Sequence, residues 1–161
     1  MAGLKAVLDG LGFRNVTTLL NSGNAVFHAD PALSADLSPI LSAALASRFG
    51  FEVPVVVKSL PELEQIIAEN VLVAGAPDHS RLLCAFAQDP QALAPLVKLE
   101  SLTTAAERFQ LGQHAAFLDC ADGIRDSKAA KALLGKAGQH VTTRNWATVL
   151  KLQALAARCA G

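Results

Sequence analysis

The chain has 161 residues, 52% of them hydrophobic, which is enough for a real core in one domain or two small fused ones without a metal or disulfide. Fourteen basic residues balance fourteen acidic ones, and no apolar run approaches the roughly 18 residues of a membrane span. Cys84, Cys120 and Cys159 are odd in number and far apart, with no CxxC, so they suit packing or free thiols in a reducing compartment, and the expected location is cytoplasmic with no membrane partner.

In chain order, Leu4, Val7, Leu8 and Leu11 predict an amphipathic helix over residues 2–12. Residues 15–20 and 25–28 are short β-rich runs joined by Asn21-Ser22-Gly23-Asn24, a hairpin signal. A second helix is expected over 35–49, stopped by Gly50, followed by a strand over 51–58 with Pro54 near its start or on an edge. A short helix over 59–69 precedes a Gly- and Pro-containing stretch at 70–80. The order then repeats, with a strand over 81–87, a helix over 90–97, a hairpin of 107–111 and 115–119, and a helix over 124–134. The last helix is expected to start at Thr142-Thr143-Arg144-Asn145-Trp146, with Thr142 or Thr143 as its cap.

This duplicated α-β-β-α order predicts an α+β fold with helices packed on antiparallel sheet, and it can be compared with the split β-α-β-β-α-β unit called ferredoxin-like. The expected division is 1–59 for the first half, 60–79 for a connecting helix and linker, and 80–161 for the second half with the C-terminal helix. The first half lacks its opening strand, because the chain begins directly in a helix. The central slot of its sheet would then need a strand from an earlier start or from elsewhere, and a homodimer through that slot is one expected partner.

Several stretches together resemble the bacterial domain of unknown function family 1697 (DUF1697). They are residues 2–13, the hairpin of 16–27 with Ser22-Gly23-Asn24, Phe49-Gly50-Phe51, Val53-Pro54-Val55-Val56-Val57, and 141–152 with Thr142-Thr143-Arg144-Asn145-Trp146 and Thr148-Val149. The resemblance implies two ferredoxin-like halves and no established substrate. Members of that family usually open with a strand and a glycine-rich Arg-Gly-Ile-Asn-Val-Gly-Gly type turn, which this sequence lacks.

Function has to be argued from sites, since this architecture hosts many roles. From Ile124 onward seven cations face one anion, so the C-terminal quarter is strongly positive and the remainder equally negative. Arg144, Lys151 and Arg158 repeat every seven residues on one side of the last helix, opposite Trp146, Val149, Leu150 and Ala157. Lys128 and Lys131 similarly oppose Ala130, Leu133 and Leu134 in the preceding helix. These five cations, with Thr143 at a helix start, are the candidate anion-binding residues, and a nucleic acid or nucleotide is the expected ligand. The competing explanation is a solvated face with Trp146 as a core anchor.

A loop-binding candidate is the hairpin turn, through Ser22 and Asn24, against a simple turn role. His28, His79, His114 and His140 are scattered, and HExxH, GxSxG, GxxxxGK[ST] and GxGxxG are all missing, so no catalytic residue, metal ligand or cofactor is assigned. Phe27 and Phe117 are placed where base-stacking sheets carry aromatics, but no interleaved basic run accompanies them. A protein-interaction or self-associating domain using an exposed sheet edge is the alternative function.

Overall fold

The computed structural model describes residues 2–19, 23–30 and 37–160. They fall into two units, one of Met1–Leu60 with Leu150–Gly161 and one of Pro61–Val149. Residues 61–79, expected as a connecting helix and linker, lie in the second unit, and residues 150–161, expected with the second half, lie in the first.

In the first unit α1 (Ala2–Gly10) buries Leu8 and carries an exposed Lys5–Asp9 ion pair one turn apart, at 2.8 Å. Its end is a Schellman closure. Phe13 N donates to Leu8 O at 3.3 Å and Gly12 N to Asp9 O at 3.0 Å, while Gly12 holds φ +88. That φ is open to glycine and strained for other residues, which is why the helix stops short of residue 12. The same turn brings Phe13 onto Leu8, and with Val16 and Leu41 they form the buried centre of this unit.

Strands β1 (Arg14–Leu19) and β2 (Asn24–His28) pair antiparallel, as the hairpin signal predicts. The register shifts between Arg14 and Thr17, where Asn15 adopts φ +54. Asparagine tolerates the left-handed region, so it suits a bulge of this kind. Helix α2 (Leu37–Phe49) buries Leu41 and Leu45 and ends at Gly50, φ +79. The part of that helix expected before Leu37, and Asn21 and Ser22 of the hairpin turn, lie outside the described residues.

The strand expected over 51–58 does not form, and residues 52–59 carry no regular structure. The sheet of this unit contains β1 and β2 alone among the described residues. Two carbonyls of the extended segment are satisfied by α2 instead, with Ser38 Oγ donating to Val55 O at 2.8 Å and Ser42 Oγ to Val53 O at 3.3 Å. Val55 and Val57 still pack on the Leu8 cluster. β-Branched residues favour an extended backbone, but a strand is defined by its ladder, and among the described residues these positions belong to none.

The second unit holds α3 (Leu60–Glu69), a 3₁₀ turn over Leu72–Gly75, β3 (Leu82–Ala87), a 3₁₀ segment over Pro90–Leu102, β4 (Arg108–Leu111), β5 (Ala115–Asp119), α4 (Lys128–Leu134), a 3₁₀ turn over Lys136–Gly138 and β6 (Val141–Asn145). Helix α5 (Trp146–Ala160) starts in this unit and continues in the first. The sheet is antiparallel with order β4-β5-β3-β6. Every residue of β3 and β5 is buried, so these central strands lack the polar alternation of a half-exposed one. Leu83, Ala85, Ala87, Ala116 and Leu118 face one cluster with Leu93, Leu96, Leu99, Ala129, Ala130 and Leu133. Across the sheet Phe117 meets Trp146 edge-on, with ring centroids 6.2 Å apart.

Three expected elements differ in the second unit. The helix over 90–97 is a 3₁₀ segment reaching Leu102, with Pro95 inside it, a residue that removes an N–H and crowds the preceding turn. The helix over 124–134 begins at Lys128, because Ser127 caps it through a hydrogen bond from Ala130 N at 3.0 Å. The third difference, at Thr142–Asn145, changes the site.

Candidate functional site

Residues 141–145 are strand β6, not a helix head, and Thr142 and Thr143 stand opposite Phe86 and Ala85 of β3. Asn145 takes the capping role, its Oδ1 accepting from Thr148 N at 2.9 Å. Trp146 N donates to His79 O at 3.1 Å. Two of the first amides of α5 therefore have protein acceptors, and the expected anion site at Thr143 is corrected to a strand position. Arg144 likewise leaves the helix, and stands opposite Cys84 in the ladder. It is half-buried, donates from its guanidinium to Thr143 O at 2.8 Å, and has its pKa lowered by that burial.

Lys151 and Arg158 are exposed on α5, in the part that belongs to the first unit. Of the four residues expected on the other face, Trp146 and Val149 are 2% and 0% exposed, Leu150 is half-buried and Ala157 is exposed. In the second unit α4 buries Ala129, Ala130 and Leu133 and exposes Lys128 and Lys131, as the spacing predicts, but Leu134, expected on the apolar face, is exposed as well. Neither lysine forms an ion pair among the described residues. The candidate set is thus dispersed, with Lys128 and Lys131 together on α4, Lys151 and Arg158 together on α5, and Thr143 and Arg144 in the sheet.

The weaker hairpin candidate has one described member. Asn24 is buried and donates from Nδ2 to Leu19 O at 3.2 Å, which ties the two strands of the turn together. Ser22 lies outside the described residues. Phe117 is buried, and Phe27 lies on Phe13 with centroids 4.5 Å apart, so both serve packing.

Sequence reasoning missed a cavity of about 320 Å³ in the second unit. The 3₁₀ segment contributes Ala92, Pro95 and Lys98, and the stretch before β6 contributes Lys136, Ala137, Gln139 and His140. Its walls combine three cationic or titratable groups with small apolar ones. The charge bias after Ile124 pointed toward Lys136, but nothing local linked it to Lys98.

A smaller notch of about 160 Å³ is lined by Gly75, Pro77, Asp78, Arg81, Asp119 and Ala121. Its charges are matched locally. Arg81 pairs with Asp78 at 3.4 Å and donates to Ala121 O, and Arg108 bonds Asp119 at 2.9 Å and Leu72 O at 2.9 Å. Hydrogen bonds from the Ser80 hydroxyl and amide hold the Asp78 carboxyl below its usual range.

Glu69, His114 and Gln110 form a clamp. Glu69 accepts from the His114 backbone N at 3.1 Å and pairs with its ring through Nδ1, while Gln110 bonds both Glu69 O and Val71 N. This fastens the end of α3 to the β4–β5 turn. A Cβ at Gly112 would sit 2.4 Å from Glu69 Oε1 and 2.8 Å from Ala115 O, so the clamp closes only over glycine. Burial pushes the Cys84 thiol strongly up. It also raises Cys120 to about 11, against the opposing hydrogen bond with Ser127, and neither thiol is poised as a thiolate nucleophile. Among the described residues no group of three His, Cys, Asp or Glu side chains could hold a metal ion, and no helix is long and apolar enough to cross a membrane.

The architecture is mixed α+β with two antiparallel sheets. A solved structure of similar fold, that of the conserved bacterial protein SP0830 from Streptococcus pneumoniae, aligns with TM-score 0.69 and 24% identity over 97% of this chain and 88% of that one. The family described as protein of unknown function (DUF1697) matches residues 1–117, and the chain belongs to that family. The Thr142–Val149 stretch of the resemblance falls outside the matched residues. Among curated proteins, none matches.

Proposed function

We propose that this protein is a cytosolic binding module for an anionic ligand, a nucleic acid or a nucleotide, held by basic helical surface in its C-terminal quarter. The observation that carries this reading is α4, where Lys128 and Lys131 stand exposed while Ala129, Ala130 and Leu133 are buried, without a carboxylate partner among the described residues. Exposed, uncompensated cations attract phosphates and release counterions on binding. Lys151 and Arg158 add a second exposed basic pair on α5. Arg144 is a supporting residue of β6 in this reading, because its guanidinium is partly spent on the neighbouring carbonyl.

Titration with labelled oligonucleotides and nucleotides at two salt concentrations tests the proposal. Binding at low salt that weakens with added salt, and weakens further in the double variant Lys128→Gln/Lys131→Gln, is expected; no binding at low salt overturns it.

The second unit also has the strand order of a ferredoxin-like fold, with β3 and β6 separated in sequence by the β4–β5 hairpin but adjacent in the sheet, and we read it as one such half. For the first unit, self-association through a sheet edge is the alternative reading. It is motivated by β1 and β2 forming a two-stranded sheet among the described residues, while Val55 packs on the same cluster from a segment that carries no regular structure. Sedimentation showing a dimer is the expected result, and a monomer at all concentrations sinks this reading.

A further inference from the structure

The cavity between the 3₁₀ segment and the turn before β6 has no part in the helical surface just described, and its chemistry is distinct. Lys98 and Lys136 line it from two separate segments of the unit, and neither is ion-paired to a carboxylate among the described residues. Two cations lining one depression without a carboxylate leave a local positive field that attracts an anion. Gln139 and His140 line the same space and bring an amide and an imidazole, both able to donate hydrogen bonds to an oxyanion.

The frame is held in place. Ala92 and Ala137, which line the cavity, also pack against the core cluster of this unit. The turn carrying Lys136, Gln139 and His140 passes so close to α4 that a Cβ on Gly138 would lie 1.8 Å from Leu133 O. Gly138 N donates to Gly135 O at 3.2 Å and Gln139 N to Lys136 O at 3.3 Å, so the turn is tight on both sides of that glycine. The backbone under the site is thus fixed, while the side chains of Lys98, Lys136, Gln139 and His140 stand exposed above it.

We infer that this cavity is a phosphate-binding pocket for a small phosphorylated ligand. A phosphate group carries about −1.5 to −2 charge at neutral pH and several acceptor oxygens, which suits two lysines acting as point charges. A volume of about 320 Å³ is at the small end of ligand pockets, where a phosphomonoester with a compact apolar body fits and a folded polyanion does not. The wall of Ala92, Pro95 and Ala137 would receive that body. The inference deepens the anionic-ligand reading but rests on residues that α4 does not supply, so each can fail alone.

Calorimetric titration of the full chain with inorganic phosphate and with phenyl phosphate tests it, alongside NMR mapping of the amide shifts. Expected are saturable binding, shifts at residues 92–98 and 136–140, and a loss of about tenfold or more in Lys98→Gln/Lys136→Gln. Tighter binding of phenyl phosphate assigns a monoester, and equal binding assigns free phosphate; both support the pocket. Lys128→Gln/Lys131→Gln should leave phenyl phosphate affinity within about twofold while weakening oligonucleotide binding. Undiminished affinity in the Lys98/Lys136 variant, or shifts confined to α4, overturns the inference. Phenyl phosphate binding without oligonucleotide binding would keep the pocket and discard the helical surface.

Discussion

The two units solve the same problem with unequal means. The second encloses two central strands whose every residue is buried, and one face of these strands belongs to a cluster of twelve buried side chains among the described residues. Among the described residues the first has a two-stranded hairpin and four buried cluster members, Leu8, Phe13, Val16 and Leu41, surrounded by partly buried ones. A lone hairpin is marginal in water and must lean on helices for an interior. The contrast teaches that sheet width sets how much of a core the strands supply: α1, α2 and the segment 53–57 do in the first unit what β3 and β5 do in the second.

The strongest way to break that contrast is Trp146→Ala, which empties a fully buried site beside Phe117. It should cost about 3–5 kcal/mol and lower the urea midpoint of the β3–β6 sheet. Leu8→Ala, at a comparably buried site, should cost about 2–4 kcal/mol. Hydrogen exchange should then show lost protection in α1, β1 and β2 with β3 and β5 unchanged; uniform loss across both sheets would remove the distinction between units.

A smaller effect comes from pH. Cys120 is raised by burial, so the folded state keeps its proton where the unfolded chain releases it. The stabilisation is complete below the unfolded thiol's pKa near 9 and is lost as pH climbs toward about 11, which predicts about 1 kcal/mol less stability at pH 10 than at pH 8 from this group. Cys120→Ala should flatten that slope in a denaturation series. Ser127→Ala removes the α4 cap and should cost about 1 kcal/mol by the same assay. Smallest is Lys5→Ala, where an exposed pair is worth about 0.2–0.5 kcal/mol, and a larger loss would mean that α1 depends on its surface charges.

Much of this was legible locally. Leu4, Val7 and Leu8 spell a helix face, the Gly112-Gln113-His114 turn sits between two β-rich runs, and Lys128 and Lys131 fall opposite Ala130 and Leu133 by periodicity alone. Thr142–Asn145 was misread because threonine suits both a cap and a strand, and the seven-residue spacing of cations carried the helix back to Arg144. The cap is Asn145, and only pairing with β3 reveals it. Residues 51–58 have strand composition, yet a ladder partner is a non-local fact. The cavity was hidden for the same reason, since Lys98 and Lys136 meet only after the chain has folded around β4 and β5.

Helix α5 bears on the order in which the chain can finish folding. Its first turn belongs to the second unit and the rest to the first, where His28 Nε2 bonds the Cys159 carbonyl. On a ribosome the residues of the N-terminal unit emerge first, but the piece that completes it is synthesised after all of Pro61–Val149. The N-terminal unit therefore cannot be completed from its own contiguous residues, because its last segment is supplied from beyond the whole of the second unit in sequence.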